Sequence, residues 1–301
     1  MTTLLDLPLE LLDKVEDEGR TSMLQLRKTC SLFNIMYRRN MNNWFYMYEY
    51  KDEGFHERKE PSPEIVNNGI ITNVDFNTKV PECISSLDIF KTVVLSEMEM
   101  TNEIMRQLSS CYRVSLESVD GLIDLSLLSS CHTVRLEEIH QELDVSPLAS
   151  CYDVGLSLVN IPSGIDSLGT CHTVNLQRCG GMSNISSLST CHKVTIGDYM
   201  AVKDFSPLGQ CHTVTLCDWE RQLPSLGTCH SVILSTCKVR SLSELSTCHT
   251  VKLYYCSRIE SFSPLSTCHT VWINSCNNVD GTEKLRETCH TMSKVGELDW
   301  Y

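Results

Sequence analysis

The sequence predicts a repeat solenoid: short parallel β-strands stacked into one sheet on the concave side of an arc. Short 3₁₀ or extended segments run outside it, and a small α-helical domain stands in front. Three observations predict this. A cysteine recurs at Cys111, Cys131, Cys151, Cys171, Cys191, Cys211, Cys229, Cys248, Cys268 and Cys289, in steps of 20, 20, 20, 20, 20, 18, 19, 20 and 21 residues. An apolar pair of the form V-x-L or V-x-I follows the cysteine at a fixed offset in every coil but the last, where Cys289 is followed by Met292 and Lys294. Residues 1–50 share none of this period and carry apolar side chains at helical spacing.

The frame is specific. In "LGTCHTVNLQRCGGM", Cys171, Val174, Leu176 and Cys179 take positions 1, 4, 6 and 9, and Met182 follows. This is the leucine-rich-repeat pattern with cysteine in its first slot. The same frame holds Cys248, Val251, Leu253, Cys256 and Ile259, then Cys268, Val271, Ile273, Cys276 and Val279. Upstream, "LDIFKTVVL" and "GIITNVDF" fit with Phe90 and Ile71 in the cysteine slot, giving about twelve coils over residues 65–301.

Alternation along V-x-L points Val174 and Leu176 one way and Asn175 the other, so each coil supplies one strand with its apolar face inward. In the second half of a coil, Ile185 and Leu188, or Phe205 and Leu208, lie three apart, and "SPL" recurs. Period three suits a 3₁₀ turn. No coil can bury its apolar face alone, so neighbours stack. Twelve coils at ~4.8 Å make an arc on the order of 55–60 Å long. The uneven steps between Cys211 and Cys248 and near Cys289 predict local kinks, and "TMSKVGELDWY" reads as a cap.

Composition narrows the function. The chain is 42% hydrophobic and 21% charged, as in ordinary globular proteins. No apolar run reaches the ~18 residues of a membrane span. The start, "MTTLLDLPLELLDKVEDEG", lacks the basic region and cleavage site of a signal peptide. The expected compartment is therefore the reducing cytoplasm, where an odd seventeen cysteines stay as free thiols. A net charge of −13 argues against a nucleic-acid partner. The charge is uneven: residues 61–160 carry 5 Lys/Arg against 15 Asp/Glu, and residues 161–301 carry 11 against 12.

Cysteine beside histidine, repeated, suggests a metal or catalytic array. The frame argues otherwise. Phe90 and Ile71 replace the cysteine, and neither can bind metal, so apolar burial is the shared property. Tyr112 and Tyr152 replace the histidine, and both types supply a flat ring with a polar tip. The expectation is a buried sulfur column and a stacked ring column, with no cofactor, metal site or catalytic residue. Thr133, Thr173, Thr213, Thr250, Thr270 and Thr291 after the rings, and the Ser or Thr before most of the cysteines, read as hydroxyl ladders that satisfy turn backbone.

Specificity then falls to outward strand positions, which vary where the frame does not. Early coils offer Glu117, Arg135, Glu137 and Glu138. Asn175 lies midway, and late coils offer Lys252, Tyr254, Tyr255 and Trp272. Clustered exposed aromatics are typical interface anchors. The expected ligand is an unidentified partner protein.

In residues 1–50, "LLDLPLELLDKV" places Leu7, Leu11, Leu12 and Val15 on one stripe with Pro8 at a helix start. "TSMLQLRKTCSLFNIMYRR" forms a second stripe, with Thr21 or Ser22 as N-cap. The plain reading is a helical cap on the first coil. Residues 51–64, "KDEGFHERKEPSPE", read as a linker. The segment also resembles an F-box, on Leu7, Pro8, Leu11, Leu12, Val15, Leu24, Leu26, Cys30, Phe33 and Trp44. It departs from that family in a short first helix, which ends at Lys14–Val15 before "EDEGRTS". The resemblance implies that Leu7, Pro8, Leu11, Leu12 and Val15 contact a Skp-type adaptor of a cullin–RING ubiquitin ligase. An F-box followed by cysteine-bearing repeats is similar to eukaryotic substrate receptors. The near-identical "CHTV" units are similar to repeat proteins of large DNA viruses of amoebae, which implies the host cytoplasm.

Stacked imidazoles tolerate the neutral form and repel one another once protonated, near an ordinary pKa of about 6.5. Stability is expected to fall between about pH 7 and about pH 5. Thermal melts that stay level across that range would contradict a ring stack.

Overall fold

The structure, a computed structural model, describes residues 73–77, 87–88, 90–197, 201–276 and 282–295. The F-box-like positions Leu7, Pro8, Leu11, Leu12 and Val15, the linker 51–64 and the end of the expected cap lie outside these residues. The repeats belong to one compact unit, residues 76–80 and 86–301.

In chain order the strands are β1 (Asn73–Asn77), β2 (Thr92–Ser96), β3 (Glu99–Met100), β4 (Arg113–Glu117), β5 (Asp120–Gly121), β6 (Thr133–Glu137), β7 (Glu142–Asp144), β8 (Asp153–Ser157), β9 (Asn160–Ser163), β10 (Thr173–Gln177), β11 (Lys193–Gly197), β12 (Thr213–Cys217), β13 (Ser231–Ser235), β14 (Thr250–Tyr254), β15 (Thr270–Asn274) and β16 (Thr291–Val295). Twelve of them form one sheet, in the order β1-β2-β4-β6-β8-β10-β11-β12-β13-β14-β15-β16. From β2 onward every neighbour pairs in parallel. Two small parallel sheets, β3 with β5 and β7 with β9, run beside it. This is a leucine-rich-repeat solenoid.

The V-x-L alternation explains the register. Val114, Val134, Val154, Val174, Val194, Val214, Val232, Val251 and Val271 sit opposite one another on successive strands, all fully buried. A buried leucine or isoleucine column runs beside them. Parallel strands put identical positions side by side, so a β-branched residue meets its own kind all along the sheet.

The outer segments are mostly 3₁₀ turns, as at Ser146–Ser150, Ser206–Gln210 and Ser263–Thr267. The residue two before the turn's serine accepts that serine's amide. Asp124, Asp144, Asn184 and Asp204 do so through Oδ1 at 2.9–3.0 Å, and Ser241 and Ser261 through Oγ at 3.1–3.3 Å. This local side-chain bond starts the turn. Two coils differ from the expectation and hold α-helices instead, α1 (Asn102–Leu108) and α2 (Thr282–Thr288). Thr101 caps α1 through Oγ1, and "NEIMRQL" is a run of good helix formers in place of "SPL". The short steps before Cys229 and Cys248 leave the strands in register, Val214 to Val232 to Val251. The first of them is taken up outside the sheet, where residues 218–230 contain no 3₁₀ turn.

Cysteine does more than fill space. Each first-slot thiol donates to a leucine carbonyl of the preceding coil: Cys151 to Leu128 at 3.5 Å, Cys191 to Leu168 at 3.3 Å, Cys211 to Leu188 at 3.2 Å. The same carbonyl already accepts the amide of its own coil's cysteine, Cys131 to Leu128 and Cys171 to Leu168, both at 3.0 Å. Both lone pairs are used, and one of them ties coil to coil. In most coils the residue before the cysteine adds a second tie, as in Ser130 Oγ to the Ser109 carbonyl at 2.5 Å and Thr190 Oγ1 to Gly169 at 2.6 Å. The hydroxyl ladder expected there is present. The threonines after the rings have a different partner, the imidazole.

Cys191→Ala leaves the Leu168 carbonyl its amide donor, so the loss should be about 1–2 kcal/mol. Leu188→Ala in the same coil should cost ~2–5 kcal/mol. Urea unfolding of both variants checks the order, and equal losses would show that the thiol is no ordinary packing group.

Candidate functional site

Three arrays reach the surface or could carry chemistry: the sulfur column, the ring column and the strand face. The sulfurs are buried, with Cys131, Cys171 and Cys211 each at 2% exposure or less. Burial pushes the Cys171 and Cys211 thiols up to about 12 and those of Cys131 and Cys191 up to about 11. A protonated, buried thiol committed to a carbonyl is the reverse of an activated nucleophile. A second sulfur column includes Cys179, Cys237, Cys256 and Cys276, also buried. There Cys237 is moved down because the Cys256 thiol hydrogen-bonds to it, and the same contact raises Cys256 to about 12. Every described cysteine is a free thiol.

The ring column is unbroken from Tyr112 to His290. Neighbouring centroids lie 4.3–4.7 Å apart with planes 10–27° from parallel. The Nδ1 atoms of His172, His212 and His269 lie 3.0–3.2 Å from the hydroxyl of the following threonine. Stacking also works against a metal ion shared between neighbouring rings. An imidazole binds a metal in its ring plane, and rings stacked face to face present lone pairs in separate planes. Among the described residues, no group of three or more His, Cys, Asp and Glu could hold a metal ion.

The strand face is where chemistry varies. The register sets Glu117 beside Glu137, two like charges on adjacent coils and both exposed. Arg135 lies between Ser115 and Gly155. Its Nη2 holds Asp153 Oδ2 at 2.6 Å. A Cβ on Gly155 would come 2.8 Å from Arg135 Nε and Nη1, so the glycine exists to let the guanidinium lie flat. Asn175 sits between Gly155 and Thr195. Its Oδ1 is sheltered and has no hydrogen-bond partner among the described residues. At the other end Lys252 is flanked by Ile233 and Trp272, with Nζ 6.0 Å from the Trp272 ring centre. Tyr254 is half-buried between Ser235 and Asn274, while Trp272 is 40% and Tyr255 57% exposed.

Nine strands of the main sheet are followed directly by a left-handed residue, φ 48–55°, at Glu97, Ser118, Glu138, Leu158, Arg178, Asp218, Thr236, Tyr255 and Ser275. None is glycine, which alone takes that conformation without strain. The turn aims the amide at the strand-end carbonyl of the next coil, Glu138 to Ser157 at 3.0 Å and Tyr255 to Asn274 at 3.0 Å. Tyr255 is thus held outward by the coil's own corner.

The structure therefore joins the predicted residues Glu117 with Glu137 and Lys252 with Trp272, and it pairs Arg135 with Asp153, which the sequence reading did not single out. Asn175 stands apart from all three. Asp153 and Gly155 were missed, although Gly155 is legible as the one small residue between larger neighbours in its column. The left-handed corner leaves no mark in residue type.

No family model matches the chain, and no curated protein does. Among solved structures, an internalin from Listeria monocytogenes is 12% identical with a TM-score of 0.49, covering 84% of this chain and 87% of that one. The functional domain of InlJ from Listeria monocytogenes, described as including a cysteine ladder, is 13% identical with a TM-score of 0.42, covering 70% and 52%. A leucine-rich-repeat protein of Leptospira interrogans is 12% identical with a TM-score of 0.27, covering 79% and 100%. At these values the likeness is one of backbone and carries no function across.

Gly155→Ala should push Arg135 off the sheet and break its pair with Asp153. Because that pair is partly solvated, the stability change should stay within about 1 kcal/mol. The Arg135 Nε–H resonance should then broaden through exchange with water. An unchanged resonance would mean the guanidinium is not seated by the glycine.

Proposed function

We propose that this chain is a protein-binding scaffold whose strand face captures a partner protein, and that residues 1–50 link the captured partner to a cullin–RING ubiquitin ligase through a Skp-type adaptor. The observation that carries the first half is the contrast within each coil. Packing positions repeat almost unchanged, while the outward strand positions change from Glu117, Arg135 and Glu137 to Lys252, Tyr254 and Trp272. A rigid support with variable display suits recognition of a large surface. The buried, protonated thiols favour this over catalysis.

The second half rests on the F-box-like residues Leu7, Pro8, Leu11, Leu12 and Val15. In this reading the protein works in the cytoplasm, that of the host where the chain is viral. The partner spans both ends of the face, with Trp272 as an anchor and Arg135 as a seated polar contact.

Proximity labelling in the host cell, with wild type beside Lys252→Ala/Trp272→Ala, tests the face. Labelling of specific partners should fall by about tenfold or more, as for hot-spot residues. Unchanged labelling would remove the late coils from the site. Adaptor pull-down tests the rest: binding that is lost on Leu7→Asp or Pro8→Ala supports the receptor. Partner capture without adaptor binding would leave a stand-alone interaction protein with a helical cap.

A further inference from the structure

The ring column is not uniform along its length. From Tyr112 it runs tyrosine, His132, Tyr152, and then seven consecutive histidines: His172, His192, His212, His230, His249, His269 and His290. A charge on His132 would sit between two tyrosine faces, an arrangement aromatic rings tolerate. In the seven-ring run every interior charge faces another imidazole. Only His172, His212, His249 and His290 can be charged together without two charged rings touching. A fifth proton forces contact at 4.3–4.7 Å.

Among the described residues, no carboxylate is a sequence neighbour of any ring of the run. The residue after each of its rings is Thr or Ser, save Lys193 beside His192, which adds a positive charge. The residue before each first-slot cysteine is Thr or Gln. The charges acting on His212 are those of His192 and His230, and on His249 those of His269 and His230. Other charged groups lie towards the column's ends. Lys91 Nζ is 5.0 Å over the Tyr112 ring, Arg113 and Asp153 follow Tyr112 and Tyr152, and Arg286 and Glu287 precede His290 in its own coil. The threonine hydroxyls at Nδ1 neither help nor hinder, since a hydroxyl can accept from a protonated ring as readily as it donates to a neutral one.

We propose that the column is an acid-triggered release confined to the later coils: protonation of adjacent rings opens the stack from His172 to His290, while the coils of Tyr112, His132 and Tyr152 stay closed. The sign follows from linkage. Partial desolvation, then the neighbouring imidazoles, lower His212 and His249 below the ordinary histidine value. The unfolded chain therefore binds protons more tightly than the folded one. Stability is full above the unfolded value of about 6.5 and is lost as pH falls through it. Strands β14 and β15 begin one residue after His249 and His269 and carry Lys252 and Trp272 on their outward face. Opening there would release whatever those residues hold, a consequence that rests on the docking reading, whereas the opening itself does not.

Hydrogen exchange on the full chain at about pH 7.5 and about pH 5.5, corrected for intrinsic rates, tests this. Strands β11 to β15 should lose protection by about tenfold or more at the lower pH, while β4 to β8 change by less than about twofold. Equal loss in both halves, or no loss, overturns the proposal. The variant His192→Tyr/His230→Tyr/His269→Tyr leaves no two histidines adjacent and uses a ring the column already accepts at Tyr112 and Tyr152. It should restore protection at the lower pH. Wild-type behaviour in this variant, with its fold intact by circular dichroism, also overturns the proposal. Should the variant not fold, the contrast between the two halves of the wild type still decides. Loss of partner capture with protection unchanged would count against the docking reading alone.

Discussion

The corner leucine carbonyl that accepts two donors is the contact on which the solenoid depends. One donor is the amide of its own coil, which closes the 3₁₀ turn. The other is the thiol of the next coil, which fixes where that coil lies. The amide alone satisfies the carbonyl; the thiol is a second, weaker donor on the remaining lone pair, and its contribution is the tie between coils. A methyl-bearing side chain could fill the same volume without supplying the donor. Sulfur is large enough to pack, polar enough to donate and weak enough as a donor to be removed from water cheaply. The repetition of cysteine follows from that combination, and no redox chemistry is needed to explain it.

Other regularities descend from this one. Coils held at a constant rise bring equivalent side chains into columns, so whatever occupies a slot meets its like above and below. For valine and leucine that is favourable at every rung. For the ring slot it is favourable only while the rings are neutral. For Glu117 and Glu137 it is unfavourable, since like charges side by side on adjacent strands repel. A column architecture thus makes each choice of residue cooperative along the chain.

The strands and the outer turns were legible because both rest on periodicities of two and three that survive substitution. The stacked rings were legible because tyrosine, a poor metal ligand, shares their slot. What could not be read had no periodic signal. The helix α1 replaces a 3₁₀ turn through a local change of composition between two intact strands. The left-handed corners are filled by Glu, Ser, Leu, Arg, Asp, Thr and Tyr, so residue type gives no hint of backbone strain. That strain is offset by an amide bond to the next coil, visible only once the coils are stacked. Arg135 reads as a projecting cation in the sequence. It lies flat in the structure because Asp153, two residues earlier on a different strand from its own, draws it across Gly155.

The same strand serves two surfaces, and their separation has a physical origin. The ring slot comes immediately before the strand, where the chain is extended and every alternate side chain points away from the core. The display positions come three and five residues later, on the sheet proper. Both are therefore locked to the same inward valine and leucine, and neither can move without disturbing the packed columns between them. Protonation of the rings perturbs the coil at its entrance to the sheet, ahead of the residues that face a partner. A scaffold built to be rigid at neutral pH transmits that perturbation because rigidity and coupling come from the same close packing.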